Sequence, residues 1–291
     1  MTAPVIYRPI REDELVEATQ VFVDTVGALA DRNGLPRPPF TVENRLPYYR
    51  YVFKTGTFWV AEVDSKIVTI ANAICRDGVW FLAGFWTLPA YQGKGIGRPL
   101  LRRIWNDART SGTRVGFTWS SIDFNAITSY MGLGFYPICQ IFTFLGKPHP
   151  HPGSSANLRV APLNLGFTRQ IDRQVRGCER MGDQEFLSSF PGVARQVSRH
   201  SQPIGYFHVQ GGVIGPAAWT DESAAQELLS LALDEALKQG DEIRLMIPGM
   251  NREALRFCNE RGLKLISAAH LMATETFGRM DAYLPSGPLL F

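Results

Sequence analysis

From Gly84 to Gly97 the chain reads GFWTLPAYQGKGIG, a strand-like run that passes through Pro89 into Gln92-Gly93-Lys94-Gly95-Ile96-Gly97 and then into an amphipathic helix. Glycines at 93, 95 and 97 let consecutive backbone N–H groups turn to one side, and the helix that follows adds its positive end, about half an elementary charge. The chemistry of such a nest is anion binding, and a pyrophosphate fits it. Spacing excludes two common nucleotide loops. A Walker A loop needs Ser or Thr after its Lys, whereas Lys94 is followed by Gly95. A dinucleotide fingerprint counted from Gly93 needs Gly at its sixth position, where Arg98 stands.

The pattern that remains, Gln92-x-x-Gly95-x-Gly97 just after Pro89-Ala90-Tyr91, resembles the acyl-CoA loop of the GNAT superfamily of N-acetyltransferases. A second segment, from Asp123 through Ala126 and Tyr130 to Gly134-Phe135, resembles that family's Asn-x-x-Ala-x-x-x-Tyr-x-x-x-Gly-Phe pattern, with Asp123 where Asn is usual. The swap removes an amide donor and adds a charge at a position that the resemblance assigns to the pantetheine arm. The resemblance implies acetyl-CoA as cosubstrate and a site built from named parts. Main-chain groups of Trp86, Thr87 and Leu88 would hold the pantetheine and the thioester carbonyl. Loop positions Gln92, Gly93, Lys94, Gly95, Ile96, Gly97 and Arg98 would hold the pyrophosphate, with Lys94, Arg98 or Arg102 facing the phosphates.

Making an amide from a thioester requires a neutral amine, a polarised carbonyl and a leaving thiolate that gains a proton. By resemblance Tyr130 is the general acid, since a phenol of pKa about 10 stays protonated at neutral pH. Its other reading is an aromatic packing a helix against a sheet. No general base stands out: residues 79–87 hold no carboxylate, which leaves Glu43, Glu62 and Asp123 as candidates acting through water. The implied activity is N-acetyl transfer to a primary amine of a small molecule. The competing readings are a non-catalytic CoA-binding sensor, motivated by Asp123 and the missing base, and an interaction scaffold that has lost ligand binding, which the intact loop argues against.

Positioning these residues requires strands and helices on both sides of the loop. Leu100, Leu101, Ile104, Trp105 and Ala108 form one apolar helical stripe after the glycines, with Pro99 in the first turn. Val115, Phe117 and Trp119 then alternate as a strand does. Upstream, the pattern predicts a strand near Val5 to Arg8 and helices over about 12–30 and 42–53. Strands near 57–63 and 66–75 follow, turning at Asp64-Ser65. The aromatic and basic stretch from Leu35 to Tyr51 lies where the resemblance puts the acceptor lid. It is open to an apolar or anionic small molecule, or to simple lid packing. The fold class expected is α/β (α+β), two GNAT-like domains, each a mixed, mostly antiparallel sheet flanked by helices.

An internal repeat organises the second half. At an offset of 128 residues, positions 100–135 align without a gap on 228–263, with six identities where composition alone gives roughly two. Asn251 falls on Asp123 and Cys258 on Tyr130. Over 92–97 the second copy reads Thr220-Asp221-Glu222-Ser223-Ala224-Ala225, so two carboxylates replace the nest and repel a pyrophosphate. The second half is therefore read as a degenerate GNAT-like domain, a structural or acceptor-side partner. Asp172 and Arg180 are either lining residues of the acceptor cleft or a structural ion pair. Residues 147–155 carry three prolines and no apolar side chain, which predicts domains at 1–147 and 157–291 with a linker at 148–156.

Composition excludes other classes. The chain has 291 residues, 45% hydrophobic and 20% charged, and exceeds one typical domain of about 100–200 residues. A net charge of +3 without any basic run argues against nucleic acid. Four cysteines without CxxC spacing, and no Cys/His cluster, argue against zinc and disulfides, and the His149 and His151 pair reads as solvated linker. No apolar run approaches a membrane span of ~18 residues and no signal stretch opens the sequence, so a cytoplasmic protein is expected.

Overall fold

The computed structural model describes residues 4–150 and 158–291. The chain packs as two compact units, Met1–Gly116 and Phe117–Phe291. In the first, strands β1 (Ile6–Pro9), β2 (Thr57–Val63), β3 (Lys66–Arg76) and β4 (Val79–Thr87) pair antiparallel in that order. Helices α1 (Leu15–Arg32) and α2 (Val42–Thr55) cover one face of this sheet, and α3 (Gly97–Thr110) packs on the other.

Local chemistry explains these elements. α2 starts at a reciprocal cap: Thr41 Oγ1 accepts from the Asn44 N–H, and Asn44 Oδ1 accepts from the Thr41 N–H. The tight turn between β2 and β3 puts Asp64 and Ser65 at φ 49° and 60°. α3 buries Leu100, Leu101, Ile104, Trp105 and Ala108, the expected stripe, and Trp105 packs on Trp80 with ring centroids 5.1 Å apart. An irregularity in the β3–β4 register opposite Asn72/Ala73 leaves Ala83 unpaired. Such a bulge reverses which face each side chain takes. Trp80 therefore shares the α3 face with Phe85 and Thr87, and Gly84 and Trp86 point toward α1 and α2.

The second unit comprises β5 (Val115–Ser120, its first two residues in the first unit), α4 (Phe124–Met131), β6 (Tyr136–Gly146), β7 (Arg159–Pro162), α5 (Leu165–Val175) and α6 (Met181–Ser188). It continues with β8 (Val193–Arg199), β9 (Gln202–Gln210), β10 (Val213–Trp219), α7 (Ala225–Leu237), β11 (Ile243–Pro248), α8 (Arg252–Glu260), β12 (Lys264–Ala273) and β13 (Tyr283–Leu284). Its strands lie in the order β5-β12-β6-β11-β10-β9-β8-β7, with β13 beside β10. All of these pairs are antiparallel except β10 with β11.

The 128-residue offset maps β5 onto β11, α4 onto α8 and β6 onto β12, with boundaries coincident to within one residue. The pairing is crossed. β12, from the second repeat, lies against β5 of the first, and β6, from the first, lies against β11 of the second. The two exchanged strands pair with each other in the middle, where Ile141 stands opposite Ala269, its own repeat counterpart. A local two-fold relation thus passes between those residues.

This exchange explains why the compact units part between Gly116 and Phe117 and not along the proline-rich stretch. β6 is bonded on both edges to strands of the second repeat, so the first repeat's last elements pack within the second unit. Of the stretch expected at 148–156, residues 148–150 lack regular structure, with His149 N–H bonded to the Arg261 carbonyl at 2.7 Å. Residues 151–156, including His151, lie outside the described residues.

Candidate functional site

β4 ends at Thr87, and nine residues, 88–96, lead to α3. Gly93 and Gly95 adopt φ +72° and +77°, the left-handed region that side chains disfavour, and open space surrounds the positions a Cβ would occupy at both. Ile96 precedes α3 without any side-chain cap, so the first-turn N–H groups are left for another acceptor. Gln92, Gly93, Lys94, Gly95 and Arg98 are exposed, whereas the Ile96 side chain is buried and its carbonyl accepts from Tyr7 Oη–H at 3.1 Å. Gly97 is needed for packing: a Cβ there would meet the Phe85 ring at 2.9 Å. The loop thus has the shape and polarity for a pyrophosphate, with Lys94 Nζ 5.1 Å over the Tyr91 ring.

The end of β4 is more selective than its sequence suggests. Leu88 N–H donates to the Val68 carbonyl at 2.9 Å, so that donor is spent inside the sheet. Antiparallel pairs alternate, which turns both Trp86 and Leu88 main chains toward β3 and sends those of Phe85 and Thr87 to the opposite edge. Thr87 O accepts from Gln92 Nε2 at 2.9 Å, and Gln92 Oε1 accepts from Arg32 at 3.4 Å, so Gln92 braces the loop. Of the three main-chain positions expected from sequence, the Thr87 N–H is the donor directed away from β3.

The carboxylates considered as bases hold other positions. Glu62 Oε2 accepts from Arg8 Nη2 at 2.5 Å. Glu43 is exposed in the first turn of α2, where its bond with Thr41 lowers its pKa. Asp123 caps α4, its Oδ1 accepting from the Asn125 and Ala126 N–H groups at 2.9 and 3.1 Å. Its counterpart Asn251 caps α8 by accepting from Ala254 N–H at 3.0 Å. Asp at position 123 is thus an exchange between two equally good caps.

Tyr130, on α4, is buried within the second unit. Burial pushes its hydroxyl above the ordinary phenol range, the Asp123 carboxylate pushes it further, and a hydrogen bond with Thr118 opposes them. The hydroxyl is a donor throughout the neutral range.

Asp172 and Arg180 form a structural pair. Both are almost fully buried, with Arg180 Nε 3.5 Å from Asp172 Oδ2. Tyr206 Oη–H and Gln184 Nε2–H donate to the same carboxylate at 2.5 and 2.8 Å, and Arg180 Nη1 donates to the Phe291 carbonyl at 2.5 Å. His208 Nε2 joins the cluster through Gln184 Oε1 at 2.8 Å. Burial, helped by the Arg180 charge, lowers its pKa to about 3.

In the first unit, sequence reasoning missed three buried polar atoms beneath α1 and α2. Tyr49 Oη, Asn72 Nδ2 and Trp86 Nε1 are shielded from solvent and have no hydrogen-bond partner among the described residues. Phe22 links Tyr49 and Trp86, its ring 5.8 Å from the first and 5.4 Å from the second. The sequence did not join them: Asn72 and Trp86 fall in apolar strand runs that read as core, and Tyr49 lies in the aromatic and basic stretch read only as a lid.

Residues 54–137 match the family described as acetyltransferase (GNAT) domain. That segment, 84 of the 291 residues, is similar to GNAT domains. It contains β2 to α4, the nest and Tyr130, and the start of β6. No curated protein matches the chain in sequence. Among solved structures, a candidate acetyltransferase from Pyrococcus horikoshii is 16% identical with a TM-score of 0.78, covering 99% of this chain and 96% of that one. A GCN5-related N-acetyltransferase from Sphaerobacter thermophilus is 14% identical with a TM-score of 0.66, covering 94% and 96%. A tandem GNAT protein from the clavulanic acid biosynthesis pathway is 12% identical with a TM-score of 0.61, covering 93% and 98%. The fold is therefore that of GNAT proteins, including a tandem one, and family and fold support acyltransferase activity. No helix among the described residues is long and apolar enough to cross a membrane, and no group of His, Cys, Asp or Glu among them gathers as a metal site.

Proposed function

We propose that this protein transfers an acetyl group from acetyl-CoA to a primary amine of a small molecule, acting in the cytoplasm. The observation that carries the reading is the Gln92–Gly97 nest, two left-handed glycines opening onto an uncapped helix start within the GNAT segment. Its N–H groups would hold the pyrophosphate, with Lys94, Arg98 or Arg102 beside it, and the Thr87 N–H would bind the pantetheine arm. Asp123 fixes α4, the helix that carries Tyr130.

In the reaction the amine nitrogen forms a bond to the thioester carbonyl carbon and the carbon–sulfur bond breaks. The nitrogen loses a proton and the thiolate gains one, giving an amide and a free thiol. Tyr130 is the donor proposed for the leaving sulfur. A phenol pKa above that of a thiol, about 8.5, makes full transfer uphill, so its role is a hydrogen bond that stabilises the thiolate. No side chain is assigned as base, and the amine enters in its neutral form. Release of thiol from acetyl-CoA in the presence of a panel of amines tests the reading. Amine-dependent, saturable release supports it, and saturable CoA binding without release by any amine refutes it in favour of a sensor.

A further inference from the structure

The polar atoms beneath α1 and α2 share one property: all three carry hydrogen to give. Tyr49 offers a hydroxyl, Asn72 an amide N–H and Trp86 an indole N–H, and none meets an acceptor among the described residues. Buried donors of this kind are costly unless something accepts from them. Tyr49 and Asn72 are 1% and 2% exposed, so bulk water does not meet that need. Their arrangement is set by the sheet. Asn72 on β3 stands opposite Gly84 on β4 and opposite Phe58 on β2, in one row across the face that α1 and α2 cover. Trp86 occupies the next row on the same face, opposite Ile70. Gly84 makes room for the Asn72 amide, since a Cβ there would lie 2.9 Å from Nδ2. Tyr49 packs over Phe58 at 5.6 Å, its hydroxyl facing the Asn72 amide without reaching hydrogen-bond geometry.

Around these donors the walls are aromatic, and the formal charge that acts on Tyr49 is positive. Phe40 stacks on Phe22 at 5.6 Å, and the Arg45 guanidinium lies 4.3 Å over the Phe40 ring. Burial pushes the Tyr49 hydroxyl above the ordinary phenol range, with the Asn72 amide and then the Arg45 charge opposing it, while burial of Arg45 itself depresses the guanidinium pKa. Its Nε donates to the neutral Asn44 amide oxygen at 2.9 Å, with no carboxylate paired to it among the described residues. Phe40 belongs to the irregular segment 35–41, and Phe40 and Trp86, at the edge of the cluster, are half-buried.

We propose that Tyr49, Asn72 and Trp86 form the acceptor subsite, and that the acceptor is a primary amine bearing a carboxylate beside an aromatic or branched apolar group. The inference rests on the acyltransferase reading and deepens it. The carboxylate oxygens accept from Tyr49 Oη, Asn72 Nδ2 and Trp86 Nε1, Arg45 balances their charge, and the apolar group lies against Phe22, Phe40 and Phe58. The indole of Trp86 serves the acceptor while its main chain is spent on β3.

The test compares three forms of each amine in the thiol-release assay: the free acid, its primary carboxamide and the decarboxylated amine. The free acid is expected to have a kcat/KM at least about tenfold above both others, the worth of about one charge-assisted hydrogen bond. Tyr49→Phe should raise KM for the acid about tenfold, leave the decarboxylated amine within twofold and leave CoA affinity unchanged. Asn72→Asp should cut kcat/KM for the acid further by placing a like charge against it. Tyr49→Phe removes one oxygen and keeps the ring packing, so it reports even where Asn72→Asp fails to fold. Equal kcat/KM for all three forms, with robust thiol release, overturns the subsite and leaves the transferase reading intact. Equality of acid and carboxamide overturns the carboxylate assignment. Absence of release with every amine overturns both.

Discussion

The chain builds the same strand-to-helix junction twice and equips only one for an anion. Between β4 and α3, nine residues with two left-handed glycines leave backbone N–H groups exposed. Between β10 and α7, five residues, 220–224, make a short 3-10 turn. There the Asp221 side chain accepts from the Ser223 N–H at 3.0 Å, and Asp221 pairs with Arg199 Nη1 at 2.5 Å. The second junction carries its own anion as a side chain. The difference teaches that a junction can keep its helix dipole and still be unsuited to an external anion, because a carboxylate of its own stands where a phosphate would lie.

The largest effect should come from making the first junction resemble the second. Gly93→Asp with Gly95→Asp adds two negative charges and two side chains at φ near +75°, and CoA affinity should fall more than about 100-fold by titration calorimetry. Retained affinity would break the contrast between the junctions. Tyr130→Phe should reduce kcat by about 10- to 100-fold with CoA affinity unchanged, in a stopped thiol-release assay. An unaltered kcat returns Tyr130 to a packing role, the role its counterpart Cys258 has in the second lobe, buried and with its pKa raised to about 12.

The caps sharpen the comparison at smaller scale. Asn251 is fully buried, caps α8 and donates to the Tyr283 carbonyl at 3.1 Å, so Asn251→Ala should cost about 2–3 kcal/mol in denaturant unfolding. His208 gives a pH signature confined to the second unit. Its folded pKa of about 3 lies below the unfolded value, so the unfolded chain binds more protons between those limits and stability falls with acidification. About 2 kcal/mol should be lost between pH 6.5 and 5, and His208→Gln should flatten that slope. Asp123 is partly exposed at its helix start, so Asp123→Ala should cost about 1 kcal/mol and Asp123→Asn close to nothing.

What was legible in sequence followed from local rules. The nest, the α3 stripe, the hairpin at Asp64-Ser65 and the repeat each depend on residue type and short spacing, and the structure places their elements within a few residues of the expected bounds. The crossed pairing of β6 and β12 was not legible, because alternation marks a strand without naming the neighbour it bonds. The expected boundary near residue 148 took chain order for packing order. Similarly, the donors Tyr49, Asn72 and Trp86 are far apart in sequence: the β3–β4 register sets Asn72 and Trp86 on one face, and the packing of α2 over β2 brings Tyr49 to it. The bulge at Ala83 decides that Trp86 faces α1, and no local pattern announces a bulge.

In the proposed function one lobe binds the diphosphate of CoA through its glycine loop. Titration calorimetry of CoA against the wild-type chain and the Gly93→Asp/Gly95→Asp variant measures this directly. One CoA per chain, lost in the variant while its unfolding temperature stays within a few degrees, is the predicted result. Two CoA per chain, or one bound with undiminished affinity by the variant, would contradict it.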